Sequence, residues 1–263
     1  MRGSRLTRVA LFWIASLALS VAVGLSTGLA PPALQQAAWG LGSSVLLFAL
    51  TRAFLRWDRR ALADVGLALS ASSAGRFGIG VALAVGLYGL TLGTLHIVAG
   101  PLAFRATPPV GLAAVGLAGV TYLLVGVMEE LAFRGYALRT LVPALGEGPA
   151  QAVVAVVFAA THLLYGWTWE SILFGVLPSG LLFGAVAIAS RGLAMPLGLH
   201  VAANWFQWTI GEKGTPGLWG LDVPDDVLAR VAQWAPGVSV ALTLALTVLV
   251  WLWHRRARRP AAA

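Results

Sequence analysis

Six residues of this 263-residue chain combine types and spacings that chemistry needs, and all six stand in apolar runs. The segment VGVMEELAFRGYALRTL (125–141) holds Glu129, Glu130 and Arg134, VVFAATHLLYG (156–166) holds His162, and PLGLHVAANWFQW (196–208) holds His200 and Asn204. A charge at the centre of a bilayer costs about 2.5–3.5 kcal/mol by insertion scales, so three charges in one turn need a reason. Glu130 and Arg134 are i and i+4 on a helix with the acid first, the favourable order for an ion pair. Glu129 is turned away by one residue's rotation, about 100°. Arg134 therefore holds Glu130 and anchors the helix, while Glu129 is left to face the interior. His200 and Asn204 share one helical face by the same i, i+4 spacing. These groups are what peptide hydrolysis requires. A carboxylate can take a proton from water, imidazoles can orient or donate, and an amide N–H can stabilise an oxyanion. No Ser or Thr stands beside a histidine in a nucleophile-like arrangement, so water is the attacking group the sequence favours.

The elements that must position these groups are membrane helices. The chain is 59% hydrophobic and 11% charged, with a mean hydropathy of +0.83, against about 25% charged residues in soluble domains. Cysteine is absent, which removes disulfides, thiolate metal sites and cysteine nucleophiles. Apolar segments long enough to span fall at about 8–28, 34–55, 77–99, 111–142, 149–167, 171–190, 193–211 and 236–254. The expected fold is an all-α integral membrane protein of about eight transmembrane helices, with a catalytic core in spans four to seven. With the N-terminus inside, fifteen basic residues fall in cytoplasmic segments and three (Arg105, Lys213 and Arg230) outside. Both termini are therefore expected in the cytoplasm, in the cell membrane. The net charge of +8 reads as orientation and contact with lipid headgroups, not as a nucleic-acid footprint.

Between the spans, residues 56–76 are too polar to cross and read as an interfacial piece and linker. The segment 212–235, with Glu212, Asp222, Asp225 and Asp226, reads as an outer loop able to cover one side of the bundle. Trp167, Trp169, Trp205, Trp208 and Trp219 fall toward that same face, as an aromatic belt would. Gly24–Gly28, Gly89–Gly93 and Gly180–Gly184 have the spacing that lets helices approach closely. His96 and His254, near helix ends, read as hydrogen-bonded packing residues.

Three motifs then carry a resemblance. EELAFR (129–134) fits EExxxR, FAATH (158–162) fits FxxxH, and HVAAN (200–204) fits HxxxN. In this order, on membrane helices, they resemble the CPBP family: CAAX prenyl proteases of the glutamate type, and bacteriocin-processing or self-immunity proteins. The likeness covers about 110–211, flanked by N-terminal helices and linker (1–109) and by an outer loop and last helix (212–263). It implies an intramembrane endopeptidase acting on a membrane-associated protein or peptide. Glu129 would activate water, His162 and Asn204 would bind the oxyanion, and His200 would tune or relay the Glu129 proton. Glu130, Arg134 and Phe158 would support the site. No cofactor is required by this reading. A zinc ion, if one took part, would use Glu129, His162 and His200, but no HExxH pattern presents ligands from one helix.

Two other readings stand beside it. Intramembrane Glu and His also build proton relays in transporters, although transporters often pair their halves and the first half here has no matching polar set. A non-catalytic immunity protein keeping the motifs as structure is the third. The enzyme reading meets one geometric demand. His200 lies about 10 Å, and His162 about 20 Å, from the inner ends of their helices. They meet only if the fifth span starts below the seventh or the helices tilt strongly.

Overall fold

The structure is a computed structural model and describes residues 2–68, 70–107, 110–215 and 217–258. Ten helices carry it: α1 (Arg2–Thr27), α2 (Pro32–Asp58), α3 (Ser72–Val98), α4 (Leu112–Glu130), α5 (Tyr136–Leu145), α6 (Glu147–Leu163), α7 (Trp169–Ser171), α8 (Leu177–Ser190), α9 (Ala194–Thr209) and α10 (Asp225–Ala257). Six rods are long and apolar enough to cross a membrane: α1, α2, α3, Leu112–Leu145, Trp169–Ser190 and α10. The remaining two expected spans, α6 and α9, are shorter, at 17 and 16 residues. The protein is an all-α multi-pass membrane protein.

Two rods are single helices joined through a π turn. Leu131–Gly135 links α4 to α5, and Ile172–Val176 links α7 to α8. A π turn widens the helix by one residue and frees a carbonyl from its usual partner, a device often found at functional sites. In the first rod Trp13 of α1 donates its indole N–H to the Ala132 carbonyl at 3.2 Å, which satisfies a polar group of the widened turn. Just past the π turn of that rod Tyr136 donates to Asp58 at 2.7 Å, and Asp58 also pairs with Arg8. Helices α1 and α2 thus brace α4 and α5 from one side.

Helix α9, which carries His200 and Asn204, is held by α3. A Cβ at Gly80 would collide with the Met195 carbonyl and lie 2.6 Å from the Leu199 nitrogen. A Cβ at Gly198 would collide with the Phe77 carbonyl. These two helices meet backbone to backbone, with no room for a side chain between them. Of the three glycine pairs singled out by spacing, Gly180–Gly184 lines such a contact. There α8 packs on Phe158 and Gln151 of α6. Gly89 and Gly93 face open space, and Gly24 meets only the Trp39 ring.

The connections group at two ends. Strand β1 (Phe104–Ala106) pairs antiparallel with β2 (Trp219–Leu221), so the α3–α4 and α9–α10 connections lie together. At the opposite end Glu147, the first residue of α6, meets His254 at 3.2 Å and Arg258 at the close of α10. His96 accepts from the Leu102 N–H at 3.0 Å, so both end histidines are hydrogen-bonded. Two expectations need correction. The last span begins at Asp225 rather than 236, because Asp225 and Asp226 suit the positive end of a helix and Pro236 is absorbed within it. Trp208 does not belong to a surface belt; it is buried with Ala118 and Tyr122.

The α3–α9 contact yields a test. Gly198→Val should cost at least about 1–3 kcal/mol of stability, since backbone cannot move aside as a side chain can. Thermal melting of the detergent-solubilised protein should register this, while Gly89→Ala, facing open space, should leave the melting temperature unchanged.

Candidate active site

The two acids divide as their helical rotation demands. The Glu130 side chain is 2% exposed and the Glu129 side chain 14%, opening on a cavity of about 640 Å³. The cavity is lined by Glu129, His162, His200 and Asn204, with Tyr88, Leu87, Leu182 and Phe183 among its further walls. Glu130 does not face it. Its Oε1 takes the Arg134 guanidinium at 3.3 Å, preserved across the start of the π turn. Arg134 is fully buried, over the Phe158 ring at 4.3 Å and within 5.4 Å of Phe183, and its second terminal nitrogen reaches the Gly180 carbonyl at 3.5 Å. The aromatic faces share the charge that one carboxylate oxygen does not fully answer.

His200 joins the two acids. Its Nε2 is 3.0 Å from Glu129 Oε2 and its Nδ1 is 3.0 Å from Glu130 Oε1. A ring that meets a carboxylate at each nitrogen donates from both, which is the imidazolium form. Its charge and that of Arg134 balance the two carboxylates. Phe183 stacks on the ring at 4.4 Å and fixes its plane.

His162, at the last turn of α6, approaches from the other side. Its Nε2 is 4.0 Å from Glu129 Oε1, while its Nδ1 bonds the Phe158 carbonyl at 2.8 Å. A carbonyl only accepts, so Nδ1 carries a proton, and Nε2 is left facing the cavity. Trp167 packs edge-on against this ring at 5.1 Å. His162 lies fifteen residues into α6 and His200 six into α9, yet both side chains reach Glu129.

Asn204 lines the cavity one turn beyond His200 and accepts from Lys213 Nζ at 2.8 Å. Sequence reading left Lys213 in an outer loop. It is the chain's single lysine among seventeen arginines, which is the signal that could have drawn attention to it. The loop brings it back because Gly211 and Gly214 adopt positive φ, and because Glu212 N and Leu218 N bond the Gln207 and Thr209 carbonyls. Burial pushes the Lys213 ammonium below the usual lysine range, while Glu129 and Glu212 draw it back up. Phe183 likewise escaped sequence reading, since an aromatic in an apolar helix carries no distinguishing mark.

Glu129, His162 and His200 present the donors a metal would take. Glu129 Oε2 and His200 Nε2 instead meet each other at hydrogen-bond distance. Among the described residues no group of three or more His, Asp or Glu has the arrangement that holds a metal ion.

No curated protein matches the chain. Residues 111–206 match the family described as type II CAAX prenyl endopeptidase Rce1-like, a stretch running from the start of α4 into α9 and containing Glu129, His162, His200 and Asn204. By this core, which is just over a third of its length, the chain is similar to the CPBP family of intramembrane proteases.

Proposed function

We propose that the chain hydrolyses a peptide bond of a membrane-associated protein or peptide, with Glu129 as the general base and no metal in the reaction. The observation that supports this most directly is the 4.0 Å between Glu129 Oε1 and His162 Nε2. It is too long for a direct hydrogen bond and suits a water donating one proton to each. Such a water presents its lone pair to a carbonyl carbon lying in the cavity. Its oxygen bonds that carbon as one proton passes to Glu129, and the carbonyl electron pair moves onto oxygen. Asn204, whose Oδ1 is engaged by Lys213, offers its amide N–H groups to that oxyanion. When the carbonyl re-forms and the C–N bond breaks, the leaving amine takes the proton back from Glu129.

In this reading His162 is neutral and serves the water rather than the oxyanion, because its Nδ1 proton is committed to Phe158 and its Nε2 has none to give. His200 keeps Glu129 oriented through Oε2 and leaves Oε1 for the water. Glu130 and Arg134 hold His200 and the π turn in place. The apolar cavity walls suit a lipid-modified or otherwise hydrophobic peptide, and the arginine-rich helix ends would lie in the cytoplasm.

The test uses protein reconstituted in liposomes and a quenched fluorescent peptide ending in a farnesylated CAAX sequence, with its unlipidated form alongside. Glu129→Gln should lower kcat about 10²–10⁴-fold while melting at the wild-type temperature. Cleavage by Glu129→Gln at the wild-type rate would overturn the assignment. Arg134→Met removes one of the two cations on the buried Glu130 and leaves the two acids sharing His200; it should cost about 3–5 kcal/mol of stability, read as lost folded yield. Asn204→Asp keeps an oxygen for Lys213 but removes both N–H donors. It should remain folded and lose about 10²–10³ in kcat. Dialysis against a strong chelator should leave the wild-type rate unchanged.

A further inference from the structure

Lys213 has no part in the motifs that define the site, yet its ammonium sits on one of the site's polar groups. We infer that Lys213 is a positioning residue that fixes which end of the Asn204 carboxamide faces the substrate, an inference that rests on the hydrolase reading above. A carboxamide has an acceptor end and a donor end of nearly equal size, so an isolated Asn can present either one to a cavity. An ammonium has donors only. By binding Asn204 Oδ1 at 2.8 Å it selects one orientation, and Nδ2 is left for the cavity that Asn204 lines. With the orientation reversed, the carbonyl end would oppose a developing oxyanion.

Three features hold Lys213 to that task. Its Nζ lies 5.7 Å from the Trp167 ring centroid, and Trp167 also packs on His162, so a single indole steadies both side chains. The loop that carries it is tied to the end of α9 by Glu212 N to Gln207 O at 2.8 Å and Leu218 N to Thr209 O at 2.8 Å. The β1–β2 pairing and the Thr107 hydroxyl bond to the Gly217 carbonyl fasten the far side of that loop. Among the lysines and arginines of the chain every other residue is arginine, whose planar fork presents its donors in a different geometry from an ammonium.

A double-mutant cycle on kcat and KM, with the farnesylated quenched peptide in liposomes, tests this. Lys213→Met keeps the length and removes the donor. It should lower kcat about tenfold to a hundredfold, the bias that a charge-assisted hydrogen bond enforces, with KM unchanged. In an Asn204→Ala background the same substitution should cost nothing further. Lys213→Arg, still donor-only, should recover part of the lost kcat. Melting temperatures separate these effects from simple loosening of the loop, for which KM and stability would move and kcat would not. Full additivity of the two substitutions overturns the positioning role while leaving the oxyanion reading of Asn204 intact. Wild-type kcat in Asn204→Ala overturns both.

Discussion

An imidazole lodged between two neighbouring carboxylates is the contact around which the rest of this structure is arranged. Glu129 and Glu130 are adjacent in sequence and cannot both be buried as anions in a hydrocarbon bundle without cations against them. Arg134 answers Glu130 from within the same rod, and His200 answers both from another helix. Each partner is itself caged by rings: Arg134 by Phe158, Phe183 and Phe133, His200 by Phe183. The arrangement leaves one carboxylate oxygen, Oε1 of Glu129, turned toward the cavity. Under the hydrolase reading that oxygen is the base, and the remainder of the charge set exists to make its burial tolerable.

Reaching this contact dictates how the helices pack. His200 must approach α4 at the depth of its last turn, and α9 is set there by the side-chain-free seam with α3 at Gly80 and Gly198. The opposite face of α4 is fixed by α2, where Gly40 admits the backbone near Val125 and Ser44 bonds the Leu124 carbonyl at 3.0 Å. His162 arrives on α6, whose start is secured by Glu147 against His254 and Arg258. The N-terminal and C-terminal helices therefore lend no side chain to the Glu129–His162–His200 cluster but brace the helices that do. A site drawn from several helices in a bundle of this kind depends on seams away from it.

Much of this was legible in sequence because it rests on local periodicity. The i, i+4 spacing of Glu130 with Arg134, and the rotation of Glu129 away from them, follow from helix geometry, and the π turn begins only after Glu130. The spans were legible because hydrophobicity and length are local too. What escaped depends on non-local placement. The relative placement of α6 and α9 has no mark in either helix. Gly80 and Gly198 are single glycines on different helices, so a spacing rule within one helix passes over them and favours Gly89–Gly93, which touches nothing. Asp225 and Asp226 read as loop because charge looks like solvent, although two acids after a proline also describe a helix start.

Lys213 shows the same limit at the site itself. Its position follows from two glycines with positive φ and a short antiparallel pairing between connections more than a hundred residues apart. Neither has a periodic signature. Composition held a hint: a chain with seventeen arginines uses lysine once. Arginine suits an interface, where a broad, weakly hydrated guanidinium can spread over phosphates, whereas a compact ammonium suits a confined corner with one acceptor. The exception in composition thus falls where the physical demand on the cation changes from orientation in the membrane to orientation of a single amide. The peptide-bond chemistry proposed for this cavity needs that amide to point one way.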